Sequence, residues 1–381
     1  MERLTNINVD RVLWSCNDLG VDPAEVAAAS RIPEKTFEKL LQEQQGLTFR
    51  QLKQLANFFG RGALFFLEEG KVDEERIHTP NFRSLTKQKP ALSANTRSII
   101  ERAEKQRKIY LELLSDLRPE AIVAFDPPEV AGTLPAEAAG IARAWLQLGE
   151  TNSFDTYRQS IEAKGVLVFR SNGYQGKWQI QRQSPILGFS LYHEVLPIIF
   201  VRKQDPASRQ SFTLAHELGH ILLHRESSVD EEADFLSDSG RESQANKFAA
   251  HFLVPDSFID SIPELTDAGS FEVVNDLLRD CRSSWGVSND VLILRLIEVG
   301  RLEQEFYTAY RQWREALPQK ESSGSRIYRY REPIHLFGDK YVKTVLDSLS
   351  DQKITVTRAS RYLDGIKLQD IHKLAGYYAG N

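Results

Sequence analysis

Cysteine is almost missing from this chain: only Cys16 and Cys281 occur, far apart, which excludes a disulfide framework and a thiolate metal cluster. No uninterrupted apolar stretch approaches the ~20 residues of a membrane span. The opening MERLTNINVDRVLW has no apolar h-region, so no secretion signal is expected and a cytoplasmic protein is. A strong charge of either sign is also lacking. The formal net charge of −5 argues against a nucleic-acid binder built over the whole surface, while leaving room for a local basic patch. No internal repeat or low-complexity tract stands out. What is present is 41% hydrophobic residues over 381 positions, enough for a real core and for two or three domains.

The densest chemical signal is His216-Glu217-Leu218-Gly219-His220, an H-E-x-x-H pattern inside an amphipathic helical run. Two histidines four residues apart leave the same helix face and can grip one cation. Glu217, beside the first of them, is placed to take a proton from a water that the cation polarises. Phe212, Ala215, Leu218, Gly219, Leu222 and Leu223 are apolar or small, so the helix is expected to be mostly buried. Polar groups on a buried helix need partners, because an unpaired one costs several kcal/mol, and a metal supplies that partner.

A catalytic zinc takes three protein ligands and keeps one position open. The zincin pattern with a third histidine six residues after His220 fails, since Glu226 stands there. Glu242 is the best candidate, at the head of a second helix, ESQANKFAAHF, whose Ala245, Phe248, Ala249 and Phe252 recur at helical spacing before Val254-Pro255 ends it. The competing acids Glu226, Asp230, Glu231, Glu232, Asp234 and Asp238 have no periodicity and read as a solvated loop.

HELGH followed by ESQANKFAAHFLVP resembles the ImmA/IrrE family of zinc metallopeptidases, over roughly residues 150–300 and including RQSFTLAHELGH and WGVSNDVLILRLIEVG. The resemblance implies Zn²⁺ held by His216, His220 and Glu242, with Glu217 as general base. Asn246, one turn past Glu242, falls where a polar group would orient a ligand histidine. His224 is expected at the helix end, facing the cleft or solvent. Tyr157, Tyr174, Tyr192 and Arg209 are all available as oxyanion donors, and the sequence does not choose among them.

Four regions follow from the pattern of helices and breaks: 1–70, 71–118, 119–317 and 326–381. The first reads as short helices only. Asp22 caps a helix that opens with Pro23, the turn SRIP leads into EKTFEKLLQEQ, and Thr48 caps the next. Two short helices around a tight turn resemble a lambda-repressor-like helix-turn-helix. Its second helix offers Lys35, Lys39 and Gln42 to nucleic acid, but Glu34, Glu38 and Glu43 nearly cancel the charge. The fold is as readily reused to hold a protein partner.

Residues 71–92, with the extended piece His78–Arg83, read as a linker before a long helix capped by Ser93. Arg97, Arg102, Lys105, Arg107 and Lys108 make one side of that helix basic, which reads as a solvated face before a phosphate-binding one. Strands are expected at 166–169, 177–180, 186–192 and 197–201, with ILGFSLY a possible free edge for a substrate strand. PQKESSGS at 318–325 is a second linker, and Arg326, Tyr328, Arg329, Tyr330 and Arg331 an arginine-aromatic segment, read as a surface strand or, less simply, a base-stacking one. The expected fold class is α+β and predominantly helical: an all-α helix-turn-helix domain, a zincin-like domain with a small, mostly antiparallel sheet, and a helical C-terminal region.

The expected function is a regulatory zinc endopeptidase, with no membrane association. By resemblance its protein substrate is a helix-turn-helix repressor or antitoxin in a stress, phage or mobile-element response. The alternative is a DNA-binding transcription regulator whose zinc is structural or sensory. Such a closed site needs a fourth ligand, His224 or His251. His251 lies nine residues past Glu242, on roughly the opposite side of that helix. The segments flanking the peptidase are expected to sense a ligand, nucleic acid among the candidates, and to open the cleft.

Overall fold

Capping chemistry sets the first helices. The Asp22 side chain accepts from Ala24 N and opens the helix Pro23–Ala29, and Thr48 and Gln51 form a reciprocal capping box at the start of the helix Phe49–Phe58. The structure, a computed structural model, describes residues 3–19, 21–59, 61–73, 85, 92–172, 176–181, 183–204, 206–237, 239–264, 270–317 and 328–379. The segment His78–Arg83, the linker 318–325 and the residues Tyr174, Asp238 and Arg326 lie outside them. The chain divides into two units, residues 1–102 with 181–184, and 103–180 with 185–381.

The first unit contains a short antiparallel pair, β1 (Arg3–Leu4) and β2 (Leu47–Thr48). Around it lie α1 (Val9–Leu19), α2 (Pro23–Ala29), α3 (Glu34–Leu41) and α4 (Phe49–Phe58). Val12, Val26, Ile32, Phe37, Leu40, Leu52 and Leu55 form its core. Arg31 takes a left-handed φ of 54° in the turn between α2 and α3. Lys35, Lys39 and Gln42 are exposed, as are Glu34 and Glu38 beside them. Residues 94–117 form α5 (Ala94–Leu117), within which the division between the units falls.

After the rest of α5, the second unit continues with α6 (Pro135–Leu146) and α7 (Phe154–Ala163). Its sheet has strands β3 (Leu167–Arg170), β4 (Ile186–Leu191), β5 (Ile198–Val201) and β6 (Ser228–Glu231) in the order β3-β5-β4-β6. β3 and β5 are parallel and the other two pairings antiparallel. Period-two alternation divides the side chains. Val168, Ile199 and Val201 join the core that includes Leu214 and Leu218 of α8 (Ala207–Gly219). Phe169 and Phe200 belong to an aromatic group with Trp178 and Phe337, and Phe189 stacks on Phe200 across the strands at 4.8 Å.

Two strand expectations are corrected. Residues 177–180 form no strand, and Trp178 is instead buried among Phe169, Phe200 and Phe337. β4 is interior, paired on both sides, so ILGFSLY offers no free edge, and β6 is the outer strand beside it.

The chain continues through α9 (Gly240–Leu253), α10 (Asp256–Asp260), α11 (Phe271–Leu277), α12 (Arg279–Trp285), α13 (Asn289–Glu298) and α14 (Gln304–Ala316). It closes with α15 (Glu332–Ser350), α16 (Val356–Tyr362) and α17 (Leu368–Ala379). The fold is α+β and predominantly helical. α15 is broken at Gly338, whose φ of 83° suits only glycine, and a Cβ there would sit 2.0 Å from Glu162 Oε1.

Two basic segments are used internally. Arg107 of α5 donates to Val195 O and Leu196 O at 3.1 and 2.9 Å, and Arg97 to Leu92 O at 3.2 Å, leaving Lys105 and Lys108 exposed. The tail Arg329–Arg331 is a single 3₁₀ turn, not a strand, and the Arg331 guanidinium lies 4.3 Å from the Tyr377 ring centre. No helix among the described residues is long and apolar enough to cross a membrane.

Candidate metal centre

α8 buries Leu214, Ala215 and Leu218 on its core side, and its end widens into a π-helical turn over His220–His224, stopped by left-handed Arg225 at φ 51°. α9 packs along α8. The two are in tight contact at Gly219, where a Cβ would meet Phe248 Cδ1 at 3.0 Å. This contact brings Glu242, in the first turn of α9, over the two histidines.

The Nε2 atoms of His216 and His220 lie 3.1 Å apart. Glu242 Oε2 is 3.3 Å from the first and 3.4 Å from the second. A fourth group joins them: Asp230 Oδ2, 3.3 Å from His216 Nε2 and 3.5 Å from His220 Nε2. One atom from each of the four residues falls within 4.8 Å of all the others.

Asp230 is a correction to the solvated-loop reading. It lies on β6, fully buried, in register opposite Gly188 of β4, and its Oδ1 accepts from Ser228 Oγ at 2.7 Å. Burial would raise this carboxyl, but the two imidazoles outweigh it and hold it well below the usual range. Burial would likewise raise Glu242, yet His216 and His220 hold it at about 2. Burial alone would lower His216; Asp230 and Glu242 push it up to about 9 instead. The two carboxylates thus favour positive charge at this point, where a metal cation would serve them both.

Glu217 is buried directly beside this group. Asp230 and Ser190 face its carboxyl, but neither oxygen makes a hydrogen bond of ordinary geometry. Burial first, then the Asp230 and Glu242 charges, raise it well above the normal carboxylate range. Gly188 makes room for it: a Cβ at that position would lie 2.6 Å from Glu217 Oε1.

Unsatisfied polar atoms are concentrated here. His216 Nδ1, both Glu217 oxygens, Asp230 Oδ2 and Glu242 Oε2 are buried with no hydrogen bond of ordinary geometry. Such atoms are costly unless something else meets them. Two imidazole nitrogens and two carboxylate oxygens aimed at one point form a donor set that fits a divalent cation.

Other expected residues fall elsewhere. Asn246 Nδ2 donates to Asp234 O at 3.1 Å, and its Oδ1 and His216 Nδ1 are both without partners, so it orients neither histidine. It ties the loop after β6 to α9. His251 is away from the group, 3.0 Å from Glu298 Oε1. Tyr157 is in the core, donating to Trp285 O at 3.0 Å, which removes it from the oxyanion candidates. Arg209 lies on the wall of a cavity of about 260 Å³ shared by Phe212, Phe235, Leu294 and Tyr307. Phe235 sits 4.5 Å from the His216 ring, so this cavity opens beside the cluster.

Residues 161–296 match the model of the M78 peptidase family, described as an IrrE N-terminal-like domain. The matched segment holds the whole sheet, α8, α9 and all five residues of the cluster, and agrees with the resemblance carried by the two motifs. The match makes this part of the chain similar to a metallopeptidase domain. A comparison with curated proteins finds no match.

Proposed function

We propose that the chain is a regulatory zinc endopeptidase of the ImmA/IrrE type. His216, His220 and Glu242 hold the ion, with Asp230 as a fourth donor in reach. When bound, zinc supplies Lewis-acid polarisation of a scissile carbonyl. Glu217 takes a proton from the attacking water and delivers it to the leaving amine nitrogen. Burial of His216, Glu217 and Asp230 limits bulk water on their side of the cluster while Glu242 stays partly exposed, and the cavity beside Phe235 receives a side chain of the substrate. Arg209, on the wall of that cavity, is a candidate oxyanion donor.

The observation that carries this reading is Glu217: a wholly buried carboxyl, without a hydrogen bond of ordinary geometry, next to a convergent metal-type donor set. A structural site has no use for such a group, because burying it without a partner is only a cost.

The substrate we infer is a transcriptional repressor or antitoxin with its own helix-turn-helix, cleaved in a cytoplasmic stress, phage or mobile-element response. The first unit, with Lys35 and Lys39 exposed on α3 and Gln42 at its C-terminal end, either docks that partner or contacts nucleic acid that opens the cleft. The test is co-expression with neighbouring helix-turn-helix proteins and mass spectrometry of the fragments. Glu217→Gln should keep its zinc and lose cleavage.

Asp230 favours a second reading. With four protein donors the site could be closed, and the chain a DNA-binding regulator with a structural or sensory zinc. Cleavage that survives in Glu217→Gln, or a cobalt-substituted protein whose spectrum ignores added anions, would support it.

A further inference from the structure

His224 and Gln244 are not among the four donors, yet both ring nitrogens of His224 are engaged. His224 Nδ1 lies 3.0 Å from His220 Nδ1, and His224 Nε2 lies 3.0 Å from Gln244 Oε1. The π-helical turn carries this contact, with the two rings tilted at 54° and 5.0 Å apart. Gln244 stands on α9 two residues after Glu242, so one helix supplies both a donor of the cluster and the end of this chain of contacts.

We propose that His224 is a positioning residue that locks His220 in its metal-binding tautomer, and that Gln244 sets the direction of the relay. The proposal rests on the reading of His220 as a metal ligand. A neutral imidazole has one N–H and one bare nitrogen. An amide oxygen only accepts, so His224 Nε2 carries the hydrogen and donates to Gln244. His224 Nδ1 is then bare and accepts. Its donor is His220 Nδ1–H, which leaves His220 Nε2 bare and facing His216, Asp230 and Glu242. Each hydrogen bond fixes the next, and the series ends on the lone pair that a cation needs.

The reverse arrangement shows what the relay prevents. With the amide nitrogen of Gln244 turned toward His224, every donor and acceptor would swap, and His220 Nε2–H would point at the cluster. No metal could bind that nitrogen. A ligand histidine usually donates its second N–H to a carbonyl or carboxylate; here a second imidazole and an amide oxygen do that work. His216 lacks such a device, since its Nδ1 has no partner.

The test measures zinc affinity of the full chain by competition with a chromophoric chelator. His224→Phe should weaken binding by about 10–100-fold, the usual cost of losing an outer partner. Gln244→Glu, which can only accept, should hold affinity at or above that of the unaltered chain. Gln244→Leu should lose part of it. Nitrogen-15 spectra of the zinc-loaded chain supply a readout that does not depend on variants. They should show His224 as the Nε2–H tautomer and His220 protonated at Nδ1. A His224 found as Nδ1–H, or a Gln244→Glu protein as weak as His224→Phe, would overturn the relay. If the unaltered chain binds no zinc, it is the metal-centre reading that fails. If it binds zinc and His224→Phe matches it, only the relay fails.

Discussion

The second unit contains two buried ionic clusters that differ in one respect. In the first, Arg158 Nε donates to Glu162 Oε1 at 2.9 Å, and its Nη atoms donate to the carbonyls of Ile334, His335 and Leu336 at 3.1, 2.9 and 3.3 Å. Lys340 Nζ donates to Glu162 O at 2.8 Å, and Arg170 meets the His335 ring. No side-chain polar atom of Arg158, Glu162, Arg170 or His335 is buried without a partner. In the second cluster, His216, Glu217, Asp230 and Glu242 leave five such atoms between them. The first is a closed account of donors and acceptors, and it clamps α15 onto α7 and β3. The second is open, and what would close it is a cation. Burial and charge do not tell these two clusters apart; the concentration of unmet hydrogen-bonding capacity does.

The widest separation of the two clusters should come from removing donors. His216→Ala, His220→Ala or Glu242→Ala should take zinc, measured by elemental analysis, from about one per chain to near none. Asp230→Asn should leave zinc in place but bound about 10–100-fold more weakly. If Glu242→Ala keeps full metal while Asp230→Asn loses it, the third ligand is Asp230. Arg158→Met should leave metal content unchanged in every case.

Arg158→Met breaks the other cluster instead. Glu162 would be left buried and unpaired, a loss of about 3–5 kcal/mol, which lowers the melting temperature on the order of 10 °C. Gly338→Ala should act in the same direction, because its Cβ would collide with the Glu162 carboxylate in a backbone conformation only glycine favours. Calorimetry on metal-loaded and metal-free protein separates the cases. If Arg158→Met sheds zinc at temperatures where it stays folded, the clusters are coupled and the contrast between them is lost.

The open cluster was mostly legible in the sequence and the closed one was not, for the same physical reason. His216, Glu217 and His220 share one helix, so their geometry follows from a local spacing, and Glu242 needs only a second helix with a clear apolar face. Asp22, Thr48 and Ser93 are local too: each cap is settled within three residues. Asp230 depends on pairing with Gly188 of a strand far back in the chain, and its neighbours Glu231 and Glu232 make the stretch look solvated. A valine before it, with Ser227 and Ser228, was the one hint of a strand. Trp178 failed in the opposite sense, since an apolar alternation looked like a strand but filled a gap among Phe169, Phe200 and Phe337. Arg158 and His335 meet only because α15 returns to α7, and no spacing encodes that.

The smallest expected effect is a pH dependence of the closed cluster. Burial raises Glu162 to about 7, although Arg158 pulls it back, whereas an unfolded glutamate titrates near 4.5. A carboxyl raised in the folded state favours folding when protonated. Its contribution is fully present below pH 4.5 and is lost as pH rises through about 7. His335 runs the other way. Burial, and then the Arg170 charge, lowers it from 6.5 to about 3, so its contribution is present above pH 6.5 and fades as pH falls toward 3. Between pH 6.5 and 8 the His335 contribution still climbs slightly to its plateau, and the Glu162 contribution alone of this pair should fall. Melting temperatures of Glu162→Gln and the unaltered chain, both metal-loaded, should therefore diverge over that window, with the unaltered chain losing more as pH rises. Parallel curves from pH 6.5 to 8 would show that Arg158 keeps Glu162 charged throughout, and the closed cluster would then be a plain ion pair insensitive to pH in that range.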